Sequence, residues 1–150
     1  MDLTTAQHAL GGEVVTGCSA MSGGQLKKRA GLAALGGLAA VAINNRLQKD
    51  KTDENAPGDH VGSIYIALGT DRVAFLEQKN GLTSSLGRHL ATHELGDFTA
   101  VEWKPAKFGI SRLALTTAEG QTYKFDVALA QKGNAQRIAD AVRERRRLAA

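Results

Sequence analysis

Apolar and polar positions alternate most regularly in the last third of the chain. Val101 and Trp103 flank Glu102, Leu113 and Leu115 share one side, and Tyr123, Phe125 and Val127 face away from Lys124 and Asp126. A period of two is the signature of a half-buried strand. It predicts strands over residues 98–103, 110–117 and 123–127. Residues 104–109 form a loop, because Pro105 has no amide to give a central ladder, and Glu119-Gly120 makes the next turn. The period then lengthens. Ala135, Ile138, Ala139 and Val142 recur at helical spacing, which predicts an amphipathic helix capped by Gly133-Asn134.

The same reading extends backwards through the chain. Ile64, Ile66 and Leu68 alternate with Tyr65 and Ala67, and residues 73–77 return after the turn at residues 69–72. Lys79-Asn80-Gly81 signals another turn. Residues 81–87 read as loop and residues 88–94 as a short edge strand. Near the start, Leu3, Ala6 and Leu10 space a short helix over residues 2–10, which Gly11-Gly12 stops. The β-branched run over residues 13–18 reads as a first strand. The count reaches about seven strands with a closing helix: a mainly β, α+β fold.

One segment breaks the pattern. Residues 30–43 hold only Ala, Gly, Leu, Val and Ile, with Lys27, Lys28 and Arg29 before them and Asn44, Asn45 and Arg46 after. Ala and Leu favour helix, while Gly31, Gly36 and Gly37 each oppose it by about 1 kcal/mol. As a helix the uncharged stretch is about 21 Å long, short of the roughly 30 Å hydrocarbon layer it would have to cross. Residues 49–62, with Pro57-Gly58, read as an exposed linker. The expected organisation is one domain over residues 1–150, its core formed by 11–21 and 62–147 around an inserted helix and linker at 22–61.

Composition adds bounds. With 150 residues, 43% hydrophobic and 23% charged, the chain suits one globular domain. The start lacks a basic segment followed by an apolar one, so no secretory signal is expected. Cys18 is the single cysteine. That excludes an intrachain disulfide and a cysteine-based zinc site, and points to a reducing, cytoplasmic setting. The net charge of +4 sits at one end. Lys132, Arg137, Arg143, Arg145, Arg146 and Arg147 face only Asp140 and Glu144 there, and the rest of the chain balances.

The strand order and local wording resemble bacterial pleckstrin-homology-like domains. Gly12-Glu13-Val14-Val15 carries the likeness at the first strand, and Ala67-Leu68-Gly69-Thr70-Asp71-Arg72-Val73-Ala74-Phe75 at the first clear hairpin. Residues 95–103 and 113–125, followed by the helix, match in the same sense. The resemblance implies a bent, half-open antiparallel barrel with a C-terminal capping helix, serving as a binding scaffold without chemistry of its own. The chain departs from the pattern where the apolar segment replaces a tight hairpin between the first two strands.

The residues then offer several functional readings. Leu32, Leu35 and Leu38 behind Lys27, Lys28 and Arg29 suit an interfacial helix on an anionic membrane, or a protein contact. Ala33/Gly37 and Gly36/Ala40 are small residues four apart, which lets two helices approach closely and offers homo-oligomerisation. Packing of the helix on its own sheet is the bland alternative. Arg143, Arg145, Arg146 and Arg147 form a basic patch that suits nucleic-acid phosphates, or simply a solvated helix end. Lys104 and Lys107 beside Trp103 and Phe108 suggest base stacking, although the strand period places Trp103 in the core.

Enzyme chemistry finds no such anchor. His89 and His93, with Glu94, have metal-like spacing but lack a third ligand, so no metal and no cofactor is expected. Thr83, Ser84 and Ser85 lack a nucleophile elbow, and the glycines of residues 31–37 lack the setting of a phosphate loop. Asp53-Glu54 falls in the linker, where nothing shifts a carboxylate. The expectation is a non-enzymatic binding or adaptor module.

Overall fold

The computed structural model describes residues 1–22, 57, 62–80 and 84–149. Helix α1 (Thr4–Leu10) starts where the Asp2 carboxylate accepts a hydrogen bond from the Thr4 amide at 2.9 Å. It ends at Gly11, whose φ of +68° lets the Gly12 amide reach back to the Gln7 carbonyl. Glycine takes that left-handed turn without a Cβ clash. Seven strands follow: β1 (Thr16–Ser22), β2 (Ser63–Leu68), β3 (Arg72–Asn80), β4 (Ser84–Glu94), β5 (Phe98–Lys104), β6 (Ser111–Thr117) and β7 (Thr122–Val127). Helix α2 (Lys132–Ala149) comes last, and short 3-10 turns sit at Leu95–Asp97 and Leu129–Gln131.

All seven strands belong to one antiparallel sheet in the order β4-β3-β2-β1-β7-β6-β5. Strands β4 and β5 are its two edges, so the sheet is not closed. It is nonetheless strongly bent. Three strand steps separate β3 from β7, about 14 Å in a flat sheet, yet the Phe75 and Phe125 rings stack with centroids 5.5 Å apart. The two edges also approach each other, with His93 of β4 and Phe98 of β5 at 5.5 Å between ring centroids. The result is a half-open barrel.

Its two faces carry separate cores. Inside, Ile64, Ile66, Val73, Phe75, Leu113, Leu115, Tyr123, Phe125 and Val127 meet Ala135, Ile138, Ala139 and Val142 of α2. The helix stripe read from the sequence is thus the face that plugs the barrel. Outside, Ala6 and Leu10 of α1 cover Tyr65, Ala67, Ala74 and Leu76. Strands β2 and β3 are therefore apolar on both sides, which accounts for their nearly continuous hydrophobic runs.

Several expectations are corrected. The first strand runs from Thr16 to Ser22, not over residues 13–18, and Val15 lies outside it and is exposed. Ser19 to Ser22 carry little intrinsic strand preference; pairing with β2 and β7 decides the matter. Strand β4 begins at Ser84, absorbing residues expected to be loop, and its largely half-exposed pattern fits an edge. Helix α2 begins at Lys132, so Gly133 and Asn134 lie in its first turn. Asn134 there donates to the Gln131 side chain at 3.1 Å. Asp126 does face away from Phe125, as alternation requires, but it is buried and pairs with Arg112 Nε at 3.4 Å.

Candidate functional site

Side chains of the sheet and α2 pack inside the barrel. Among the described residues, the hairpin loop joining β5 to β6, residues 105–110, is held at several points. Register places Lys104 opposite Arg112, and Arg112 opposite Asp126. The Ser111 hydroxyl accepts from the Ala106 amide at 2.9 Å, and Lys132 Nζ donates to the Ala106 carbonyl at 3.0 Å. Ala106 is thus held from both sides. Gly109, at φ +87°, turns the chain back, a conformation that strains residues bearing a Cβ. Phe108 is left at the tip, 82% exposed.

Lys104, Phe108, Gly109, Ile110 and Arg112 line an open hollow of about 420 Å³ beside this tip. Lys104 and Glu102 pair at 2.7 Å, which holds the Glu102 carboxyl below its ordinary range. Arg112 is turned toward Asp126. Among the described residues, Lys107 and Lys132 form no ion pair. The loop therefore joins an exposed aromatic to unneutralised positive charge. A second hollow, of about 440 Å³, lies past α1 and is lined by Thr4, Gln7, His8, Gly11, Gly12 and Glu13; it gathers no comparable cluster of charge.

The sequence signals meet different fates. Lys27, Lys28, Arg29, Leu32, Ala33, Leu35, Gly36, Gly37, Leu38 and Ala40 lie outside the described residues. The root of their segment is nevertheless visible: Met21 stands opposite Ser63, and the Ser22 amide donates to the Gly62 carbonyl at 3.2 Å. Trp103 is buried, as its alternation requires, and its indole N–H donates to the Gln136 side chain of α2. Arg143, Arg145, Arg146 and Arg147 share the last turns of α2. Two of them are occupied, Arg147 with Glu144 at 2.6 Å and Arg143 with Asp140 at 3.7 Å. The Arg147 pair holds the Glu144 carboxyl low.

His89 and His93 are not brought together. A bulge in β4 shifts its register on β3, so that Ala91 opposes Phe75 but His89 opposes Leu76. A one-residue slip sends a side chain to the other face. Leu90 and Ala91 consequently both pack on the inner core. His93 points inward, with Nε2 2.9 Å from the Tyr123 hydroxyl, while exposed His89 contacts Thr92. Burial pushes the His93 pKa down, with Asp97 and Glu119 acting the opposite way, and burial raises that of Tyr123. Among the described residues no group of three His, Cys, Asp or Glu is placed to hold a metal. Cys18 is fully buried in the inner core, and burial pushes its thiol up to about 12.

The sequence reading overlooked Arg112 and Lys132 as parts of the loop site. Lys132 lies 26 positions from Ala106, and only the folded register unites them. No family model matches this chain, and comparison with curated proteins finds no match. Among the described residues no helix is long and apolar enough to cross a membrane.

Proposed function

We propose that this chain is a non-enzymatic binding module with a pleckstrin-homology-like fold, acting as a peripheral adaptor at an anionic membrane surface. The inserted segment supplies the principal contact. One observation carries the reading: the insertion has a sealed root. Met21 and Ser63 face each other across the ladder, and Ser22 and Gly62 close its end. Among the described residues, one core lies between the sheet and α2 and the other beneath α1, and Pro57, the described residue of the insertion, is buried. An apolar stretch behind three cations, leaving and re-entering the sheet at one rung, suits contact with something beyond the scaffold. Leucines entering acyl chains while Lys27, Lys28 and Arg29 meet headgroups is the corresponding chemistry.

Sedimentation with vesicles provides the test. The full chain is expected to bind vesicles containing phosphatidylserine and to ignore purely zwitterionic ones. Replacing residues 23–61 by a short Asn-Gly turn should leave a cooperative thermal unfolding transition and cut vesicle binding at least tenfold. Equal sedimentation with both vesicle types sinks the membrane reading. Unchanged vesicle binding by the deletion variant, with conversion of an oligomer to a monomer, would reassign the insertion to self-association.

A further inference from the structure

We infer that the loop joining β5 to β6 is a second membrane contact, with Phe108 entering the interface of an anionic bilayer and Lys104, Lys107, Arg112 and Lys132 meeting its headgroups. This rests on the membrane reading above and adds a second contact, at the end of the sheet away from the insertion root.

Three observations carry it. The first is exposure on a fixed support. A large aromatic on a wandering loop can fold back, but this loop is pinned at Ala106 by Ser111 on one side and Lys132 on the other. Phe108 is the most exposed of the large hydrophobic residues among those described, and Leu129, 54% exposed, follows β7 at the same end of the sheet. The second is charge. Four cations surround the tip against Glu102 and Asp126, and of those four Lys107 and Lys132 have no carboxylate partner among the described residues. An aromatic wedge within a basic ring complements acyl chains beneath anionic headgroups. An acidic protein groove would match the charge, but it would leave the exposed Phe108 ring without an apolar layer to bury it. The third is the hollow beside Phe108, flanked by Lys104 and Arg112. It is large enough for a phosphate or carboxylate headgroup.

Geometry separates this contact from the insertion. Strand β1 runs antiparallel to β7, so at Ser22 it heads toward the Glu119-Gly120 turn. The residue 105–110 loop lies at the opposite end of β6. A bilayer docked on Phe108 therefore meets a surface distinct from the insertion root.

The probes are vesicles of phosphatidylserine and phosphatidylcholine, the latter also with brominated acyl chains, and the full-length chain. Phe108→Trp adds an exposed emitter to buried Trp103. On anionic vesicles its emission should shift to the blue and be quenched by the bromines, with no change on zwitterionic vesicles. Phe108→Ser should lower the vesicle partition coefficient about tenfold. Lys107→Ala should lower it about fivefold, the worth of one cation near an anionic surface. Millimolar inorganic phosphate should not displace the protein, since the bilayer and not free phosphate is the partner. If the wild type sediments but Phe108→Trp is neither shifted nor quenched, and Phe108→Ser binds normally, the loop proposal is overturned while the membrane reading stands. If the wild type fails to sediment even at low salt, both fall.

Discussion

Gly17 shows how tightly one position in β1 is specified. Its backbone is ordinary for a strand, so no left-handed turn demands a glycine. What demands it is the Tyr65 ring, which crosses directly over the position; a methyl group there would overlap the phenol. Tyr65 is itself buried against α1, so it cannot simply swing into solvent. Gly17→Ala should therefore destabilise the fold by about 1–3 kcal/mol, the usual cost of overpacking. Chemical denaturation of the two proteins checks this, and Gly17→Ala with Tyr65→Phe should recover only part of the loss. Sequence could not have revealed the requirement. Gly17 reads as a weak spot in a strand until the neighbouring strand supplies the tyrosine.

At the scale of elements, α2 was legible and β1 and β4 were not, for different reasons. The stripe of Ala135, Ile138, Ala139 and Val142 is local, and all four side chains are fully buried. Truncating Ile138 to Ala should cost about 2–5 kcal/mol and expose the barrel's open end to hydrophobic dyes, measurable in the same denaturation experiment. The end of β1 carries no such local signal, since Ser19, Ala20 and Ser22 become strand by pairing. Strand β4 fails for a third reason. Its bulge changes which residues share a face, and period counting assumes an unbroken register. His93, read as a surface residue, turns inward to Tyr123 as a result. The loop site was half legible: Lys104, Lys107 and Phe108 are neighbours in sequence, whereas Arg112 and Lys132 arrive through register.

The whole molecule is a sheet whose edges meet through side chains and not through a ladder. His93 stands at that seam, among Phe75, Phe98 and Tyr123, with Asp97 and Glu119 as the carboxylates acting on it. Its pKa is depressed from the ordinary 6.5 when folded, so the unfolded chain binds the proton more readily. Stability from this group is complete above about pH 6.5 and is lost as pH falls toward the depressed folded value. The thermal midpoint should therefore drop between pH 7.5 and 5.5. His93→Gln, which keeps a polar partner near Tyr123 but cannot titrate, should flatten that slope. An equal slope in both proteins would move the sensitivity elsewhere.

The sealed root at Met21 and Ser63 also sets how freely this protein can vary. Closing a longer excursion between two points already held together costs only about 0.6 kcal/mol for each doubling of its length. The scaffold is thus nearly indifferent to how much chain leaves and returns at that rung. Segments of other lengths can leave and return at that rung at little entropic cost, so the ladder can stay closed while the reach of the insertion and its choice of partner change.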